Sequence, residues 1–263
     1  KFKAGTDPAR LAQDHGATLL GVVSALSLCR LRGSDPPLAD NLKADSRVLY
    51  VEKDGVLDGQ PRYTDFTGSL DAQVRYFAAI GSPDPGLYDQ WALAKIRAAQ
   101  AQALAKGLGV TIAVLDTGID LDHSLFSGRL VAGYDFVDDD ADPGDGSNHL
   151  DDDGDGSIDE GVGHGSHAAG IVAMVAPQAK IMPIRIFDSE GRGSYFDVIE
   201  GIVYAADNGA KVISLSGAGA DNEQALQDAV NYALNKGVVF VAAAGLSNAN
   251  AMGYPALYDG VVS

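Results

Sequence analysis

Four short, mainly apolar runs punctuate the second half of the chain. They are GVTIAVLD (109–116), KIMPIRIF (180–187), KVISLS (211–216) and VVFVAAAG (238–245). Apolar runs of this length that contain β-branched residues are typical of strands buried on both faces of a sheet. Pro183 weakens the second prediction, because proline cannot donate to a sheet ladder.

Helical patterns separate these runs. Residues 163–175 predict a helix of small residues, and residues 222–236 predict an amphipathic helix that stops at Gly237. Ser194 can cap a further helix that ends at Gly209. Its apolar stripe consists of Phe196, Ile199, Ile202, Val203 and Ala206. Alternating strands and helices predict an α/β fold, with a parallel sheet and right-handed crossovers.

The first hundred residues follow a different pattern. Residues 1–55 alternate strand-like and helix-like pieces and end in a strand-like stretch over 47–55. Gly, Pro and Asp then punctuate the chain, as in GSPDPG (81–86), before an Ala-rich helical stretch over 89–106. We therefore divide the chain into a small α+β domain (1–55), a linker (56–87) and a larger domain (88–263).

Charge is concentrated in one stretch of the chain. The 263 residues contain 36 acidic and 19 basic side chains, and the net charge is −17. Twelve of the acidic residues lie between Tyr134 and Gly161, and no Lys or Arg lies between Val131 and Ala179. A local acidic patch points to a bound cation and argues against a nucleic-acid partner. The longest uncharged apolar-leaning run, 16–29, is shorter than the roughly 20 residues of a membrane span, so no membrane partner is expected.

Asp116 and His164 are the candidate catalytic residues. Asp116 ends a predicted strand and opens a DTG turn, and functional groups gather at the carboxyl ends of parallel strands. His164 lies between two glycines at a predicted helix start, where a carboxylate could fix its tautomer and make it a general base. Taken singly, each has another interpretation: a turn-forming Asp, and a His at a helix terminus or in a zinc pair with His167.

The order of the motifs resembles that of the subtilisin-like serine proteases. DTG, GHGSHAAG, KVISLS, VVFVAAAG and YPALYDGVVS follow one another across 88–263 as they do in that family. The resemblance implies a three-layer α/β fold, endopeptidase activity on peptides or proteins, secretion, and a triad that contains Asp116 and His164. It also implies that Ser216, Gly217 and Ala218 line the substrate groove, where a peptide pairs as an added strand.

Residues 1–55 are similar to the βαββαβ propeptide of the same family. In that family the propeptide assists folding and occupies the cleft as an inhibitor. The chain's own N-terminal domain is therefore an expected partner of the groove.

Two departures from the family pattern bear on activity. The family's nucleophile lies in a GTSMA-type motif beyond the position of Ser263, and Leu246 stands where an Asn normally stabilises the oxyanion. We therefore expect this chain alone to be inactive. Ser247 is better interpreted as a loop residue than as a nucleophile, and Asn248 remains a candidate donor. The alternatives are a pseudoprotease that binds peptides or a partner, and half of a split enzyme whose second chain supplies the serine.

The acidic stretch contains a calcium-loop pattern. Asp151, Asp153 and Asp155 precede Gly156 in the D-x-D-x-D-G arrangement that opens an EF-hand loop. We expect Ca²⁺ to be bound by these carboxylates, the Ser157 carbonyl, Asp159 and Glu160. Position 12 of the loop is Val162 rather than the usual Glu, so the loop is a shortened variant. The alternative is a solvated, self-repelling loop.

Overall fold

A six-stranded parallel sheet organises the larger part of the molecule. The computed structural model describes residues 1–33, 37–58, 91–245 and 252–263. Its strands are β4 (Thr111–Asp116), β5 (Tyr134–Asp135), β6 (Lys180–Arg185), β8 (Val212–Leu215), β9 (Val239–Ala242) and β10 (Val261–Val262). They lie in the order β10-β9-β8-β4-β6-β5, and every neighbouring pair is parallel. The other strands are β1 (Thr18–Val23), β2 (Leu28–Arg32), β3 (Val56–Asp58) and β7 (Arg192–Ser194).

Helices cover both faces of the sheet. They are α1 (Pro8–Asp14), α2 (Pro37–Ala44), α3 (Trp91–Lys95), α4 (Ala98–Leu104), α5 (His164–Val175), α6 (Tyr195–Asp207) and α7 (Gln224–Asn235). Ala113 and Leu115 of β4 pack in one core with α6 and α7, whereas Val114 packs with α5 on the opposite face. Because side chains alternate along a strand, β4 serves both cores. The predicted three-layer α/β fold is confirmed.

Pro183 lies inside the sheet without breaking it. It pairs in register with Val114 of β4 on one side. On the other side β5 covers only the last two residues of β6, and Gly133 packs against the Pro183 backbone. The missing N–H of proline therefore falls where no regular strand needs it.

The N-terminal residues form a unit around a two-stranded antiparallel sheet, β1–β2, with α1 and α2. The strand expected over 47–55 does not form, apart from a single antiparallel bridge between Phe2 and Val48. Glu52 and Asp54 instead accept backbone N–H groups from α7 and α6. This use of the segment as a set of helix caps competes with strand pairing.

Two further expectations change near the domain boundaries. The helical stretch over 89–106 is divided into α3 and α4, because Arg97 between them has a left-handed backbone with φ +57°. The first residues of the expected linker form β3, which pairs antiparallel with β7. The rest of that linker, from residue 59, lies outside the described residues.

Candidate active site

The carboxylate of Asp116 and the imidazole of His164 meet at the carboxyl end of β4. Asp116 Oδ1 lies 2.7 Å from His164 Nδ1. The Asp116 side chain is 1% exposed, whereas the His164 side chain is 25% exposed. Asp116 Oδ1 also accepts the backbone N–H of Thr117 at 2.8 Å. Asp116 Oδ1 is thus held by two donors, and the His164 side chain remains partly exposed.

The DTG turn and the start of α5 are in close backbone contact. Gly165 packs directly on the carbonyl of Gly118, and no side chain larger than hydrogen fits there. The Gly165 N–H donates to Thr117 Oγ1 at 3.0 Å. Glycine at this position is therefore a requirement of close approach, and it determines where His164 stands relative to Asp116.

The surroundings of His164 raise the pKa of its imidazole above the ordinary value. Burial lowers the pKa of His164, but the hydrogen bond that the imidazole donates to Asp116 and the charges of Asp116 and Asp145 outweigh it, so the net pKa is raised. His167, the other residue of the conceivable zinc pair, has its pKa lowered by burial and by the charge of His164. The direction of the His164 shift is the one expected of a base whose imidazolium is stabilised by a buried carboxylate.

The predicted groove segment lies beside the chain's own β3. Ser216, Gly217 and Ala218 directly follow β8. β3 pairs with β7 in the register Val56 with Ser194, Leu57 with Gly193 and Asp58 with Arg192. Leu57 is fully buried, and its side chain packs over Gly217 and Gly219. Nothing in the sequence pattern of residues 56–58 marked them as a strand, because three residues are too few to show periodicity.

Three of the six predicted metal ligands come together. One carboxylate oxygen from each of Asp151, Asp153 and Asp155 lies within 4.8 Å of the other two. Calcium binds oxygens at 2.3–2.6 Å, so oxygens on opposite sides of one ion are about 5 Å apart, and the trio fits such an ion. Asp151 also accepts the N–H groups of Gly154, Asp155 and Gly156, which wraps the loop around its carboxylate.

The other three predicted ligands are placed differently. Asp159 accepts the backbone N–H groups of Asn148 and His149 and a hydrogen bond from the Ser147 hydroxyl. The Glu160 carboxyl pairs with Glu190, and burial and this contact raise the pKa of Glu160 to about 7. Ser157 is exposed. Among the described residues, Asp151, Asp153 and Asp155 are the only three His, Cys, Asp or Glu side chains whose ligand atoms all lie within 4.8 Å of one another.

Two carboxylates near the site were not predicted, of which Asp145 is partly buried and Glu190 is buried. Asp145 accepts hydrogen bonds at the start of α5, and Glu190 Oε1 accepts the N–H groups of Asp152 and Asp159 at 3.3 Å each. In the sequence, nothing distinguishes Asp145 from the eleven other acidic residues of its stretch, and Glu190 lies in a polar DSEG segment (188–191) that predicts an exposed turn. Only burial distinguishes them. Leu246, Ser247 and Asn248 lie outside the described residues.

Comparison with known proteins decides the family. The model of the subtilase family matches residues 107–263, more than half of the chain. The chain belongs to the subtilase family. Thermitase from Thermoactinomyces vulgaris is 43% identical over 184 residues, which cover 66% of this chain and 61% of thermitase. Alkaline serine exoprotease A from Vibrio alginolyticus is 33% identical over 232 residues, 83% of this chain and 37% of that protein.

The crystal structure of fervidolysin from Fervidobacterium pennivorans, a keratinolytic enzyme related to subtilisin, matches with a TM-score of 0.66 and 25% identity. The match covers 97% of this subtilase and 40% of fervidolysin. The chain thus spans less than two thirds of the length of the relatives it matches. None of the described helices is long and apolar enough to cross a membrane.

Proposed function

We propose that this chain carries the acid and base of a subtilisin-like serine endopeptidase centre. The observation that carries the proposal is the 2.7 Å contact between Asp116 Oδ1 and His164 Nδ1, in a family member. Because Nδ1 faces a carboxylate, it bears the proton, and Nε2 is left as the proton acceptor. A serine hydroxyl at Nε2 would lose its proton as its oxygen attacks the peptide carbonyl, and the imidazolium would return that proton to the leaving amine.

The nucleophile in this proposal comes from outside the 263 residues. By the family resemblance, the GTSMA-type motif is expected beyond Ser263, and Leu246 is expected to stand where an Asn normally stabilises the oxyanion. Loss of one such donor lowers the rate by about 10²–10³-fold. We therefore propose that the 263-residue polypeptide does not hydrolyse peptide bonds on its own.

The N-terminal unit is proposed to act as an internal inhibitor of the groove. β3 pairs antiparallel with β7, and the side chain of Leu57 fills the space over Gly217 of the predicted groove segment. Glu52 caps α7 through the N–H groups of Gln224 and Ala225, at 2.7 and 3.0 Å.

A second set of contacts ties the same unit to α6. Asp54 accepts the Phe196 N–H at 3.2 Å, and Arg30 contacts both Asp54 and Asp197, at 2.7 and 3.2 Å. Docking of residues 1–58 therefore satisfies the free N–H groups of two helices as well as filling the groove.

Calcium is proposed to bind the trio of Asp151, Asp153 and Asp155. The donors are all carboxylate oxygens, which suit a hard cation, and the nearest described guanidinium contact is Arg192 Nη1 at 3.7 Å from Asp153 Oδ2. A bound ion would neutralise the trio and stiffen the loop that leads into His164. Extracellular fluids supply calcium at the concentrations such loops need, so we propose a secreted protein.

The pseudoprotease alternative requires that a peptide displace Leu57 from its place over Gly217. A separate observation favours the split-enzyme alternative. Ile171 and Val175 of α5 are 43% and 36% exposed, which favours a second chain packing on the helix that carries His164. Native mass spectrometry separates these possibilities, because a stable 27.2 kDa monomer excludes the second chain.

The proposal is tested with the purified chain. We expect no labelling by a fluorophosphonate probe and no turnover of casein, with His164→Ala as the background control. Labelling above that background would show that the chain contains its own nucleophile.

Groove occupation is tested with a fluorescent peptide. Leu57→Asp places a charge in a fully buried position and should release β3, so that the peptide binds. Val56→Asp makes the same change on the same strand at a side chain that is 50% exposed, and should leave binding at the wild-type level. Equal binding by the two variants would contradict the inhibitor role.

A further inference from the structure

The helix that carries His164 has no cap of its own. Gly163 occupies the N-cap position of α5 and has no side chain to accept an N–H. The free donors at this end are satisfied from elsewhere in the chain. Thr117 Oγ1 accepts from Gly165 at 3.0 Å, and Asp145 Oδ2 accepts from Gly163 at 2.9 Å. The position of His164 thus depends on two residues that are distant in sequence.

Asp145 also connects α5 to the turn that holds Asp116. Its backbone N–H donates to the Ile119 carbonyl at 3.2 Å. Its Oδ2 accepts from the Ser166 hydroxyl at 3.1 Å, and the same hydroxyl accepts the Asp120 N–H at 2.8 Å. Its second oxygen, Oδ1, is buried and has no hydrogen-bond partner within the described parts of the chain. Burying a carboxylate oxygen that has no hydrogen-bond donor lowers the stability of the fold, so the presence of Asp145 here needs an explanation.

We propose that Asp145 is a positioning residue for His164. Asp145 caps the start of α5 and places a second negative charge beside the imidazole. This inference rests on the proposed function and deepens it. Asp116 fixes the imidazole through Nδ1, and Asp145 fixes the backbone from which the imidazole projects. The hydrogen bond from the Gly163 N–H to Asp145 also joins the two ends of the segment 145–163, immediately before His164.

The charges that act on His164 identify a distinct contribution from Asp145. The titratable groups that influence or neighbour the imidazole are Asp116, Asp145 and His167. Asp116 and Asp145 raise the pKa of His164 against the effect of burial. Burial raises the pKa of Asp145 itself to about 6, so this carboxyl is ionised at pH values well above 6 and its charge then acts on the imidazole.

The test is a histidine-detected NMR titration of the full chain. Asp145→Asn keeps an acceptor oxygen for Gly163 and removes the charge, so the pKa of His164 should fall by about half a unit. Asp142→Asn removes an exposed charge from the same acidic stretch and should leave the pKa of His164 unchanged. Equal His164 pKa values in the two variants would overturn the inference.

A further arm separates this inference from the proposed function. Asp116→Asn should lower the pKa of His164 by about one unit or more, because it removes the hydrogen-bonded charge. If that variant has no effect, the proposed acid–base pair fails. If only Asp145→Asn has no effect, the pair stands and the role of Asp145 is wrong.

One measurement uses the wild-type chain, so it does not depend on whether a variant folds. The amide resonance of Gly163 should shift with a midpoint near pH 6 as Asp145 ionises, separately from the midpoint of His164. A Gly163 amide that follows only the His164 titration would also overturn the inference.

Discussion

Asp116 and the carboxylate trio of the acidic loop show the aspartate side chain in two different environments. Asp116 ends a buried strand, is 1% exposed and receives hydrogen bonds from two defined donors. Asp151 and Asp155 are exposed, and the trio is held by turns within its own loop. The first carboxylate is positioned by the sheet before any ligand arrives. The three carboxylates of the trio carry like charges close together, with Arg192 Nη1 3.7 Å from Asp153 Oδ2. Burial and the surrounding scaffold therefore distinguish the two kinds of carboxylate.

The largest expected effect concerns the packing of the active-site backbone. Gly165→Ala would place a methyl group on the Gly118 carbonyl, so α5 and the DTG turn must separate. We expect a loss of about 3 kcal/mol in the free energy of unfolding, measured by urea denaturation. Gly146→Ala in the acidic loop, where no atom lies within 4 Å of the added methyl, should change it by less than about 0.5 kcal/mol. Similar losses in both variants would refute the contrast between the regions.

Calcium should stabilise the chain through the loop alone. At a free Ca²⁺ concentration of 100 times Kd, the folded state gains about 2.7 kcal/mol, measured as a rise in Tm relative to EDTA. Asp153→Asn removes one member of the trio and should abolish most of this rise. Asp142→Asn, an exposed acid outside the trio, should preserve it. A calcium response that survives Asp153→Asn would place the ion elsewhere.

Glu200 on α6 is intermediate in burial between Asp116 and the exposed carboxylates of the acidic loop. Burial, followed by the charges of Asp197 and Asp139, raises its pKa to about 7 from the ordinary 4.5. The folded state therefore favours the protonated form, and this stabilisation is complete below pH 4.5 and lost as the pH rises through about 7.

The Gln side chain of Glu200→Gln does not titrate, so this loss should be absent. Between pH 5 and pH 8 the free energy of unfolding should fall by on the order of 2 kcal/mol less in the variant than in the wild type. The measurement is urea denaturation at both pH values. Asp221→Asn, at an exposed position, should retain the wild-type pH dependence. An unchanged slope in Glu200→Gln would show that another group titrates.

The smallest effect concerns two hydroxyl groups. Thr117→Val removes the acceptor of the buried Gly165 N–H and should cost about 1–2 kcal/mol of unfolding free energy. Ser157→Ala in the exposed loop should cost less than about 0.5 kcal/mol. Thermal denaturation of both variants gives the difference, and a neutral Thr117→Val would show that water replaces the lost acceptor.

The elements that sequence reasoning located best have strong periodic signals. Ser194 caps α6 by accepting the Asp197 N–H at 3.1 Å, and all five residues of the predicted stripe are buried. Asp116 and His164 were identified because their motifs appear in the family's order. The strand over 47–55, the continuous helix over 89–106 and the strand β3 were misjudged, because each depends on contacts with residues far away in the chain.

The sequence by itself determined the α/β alternation, the family and the two catalytic candidates. These features depend on local periodicity, helix capping and motif order, all of which are written along the chain. Only the tertiary structure decided that Leu57 packs over Gly217, that three of the six predicted calcium ligands lie together, and that Asp145 accepts a hydrogen bond at the start of the helix that carries His164. Burial and long-range hydrogen bonds separate one aspartate from another, and neither exists until the chain has folded.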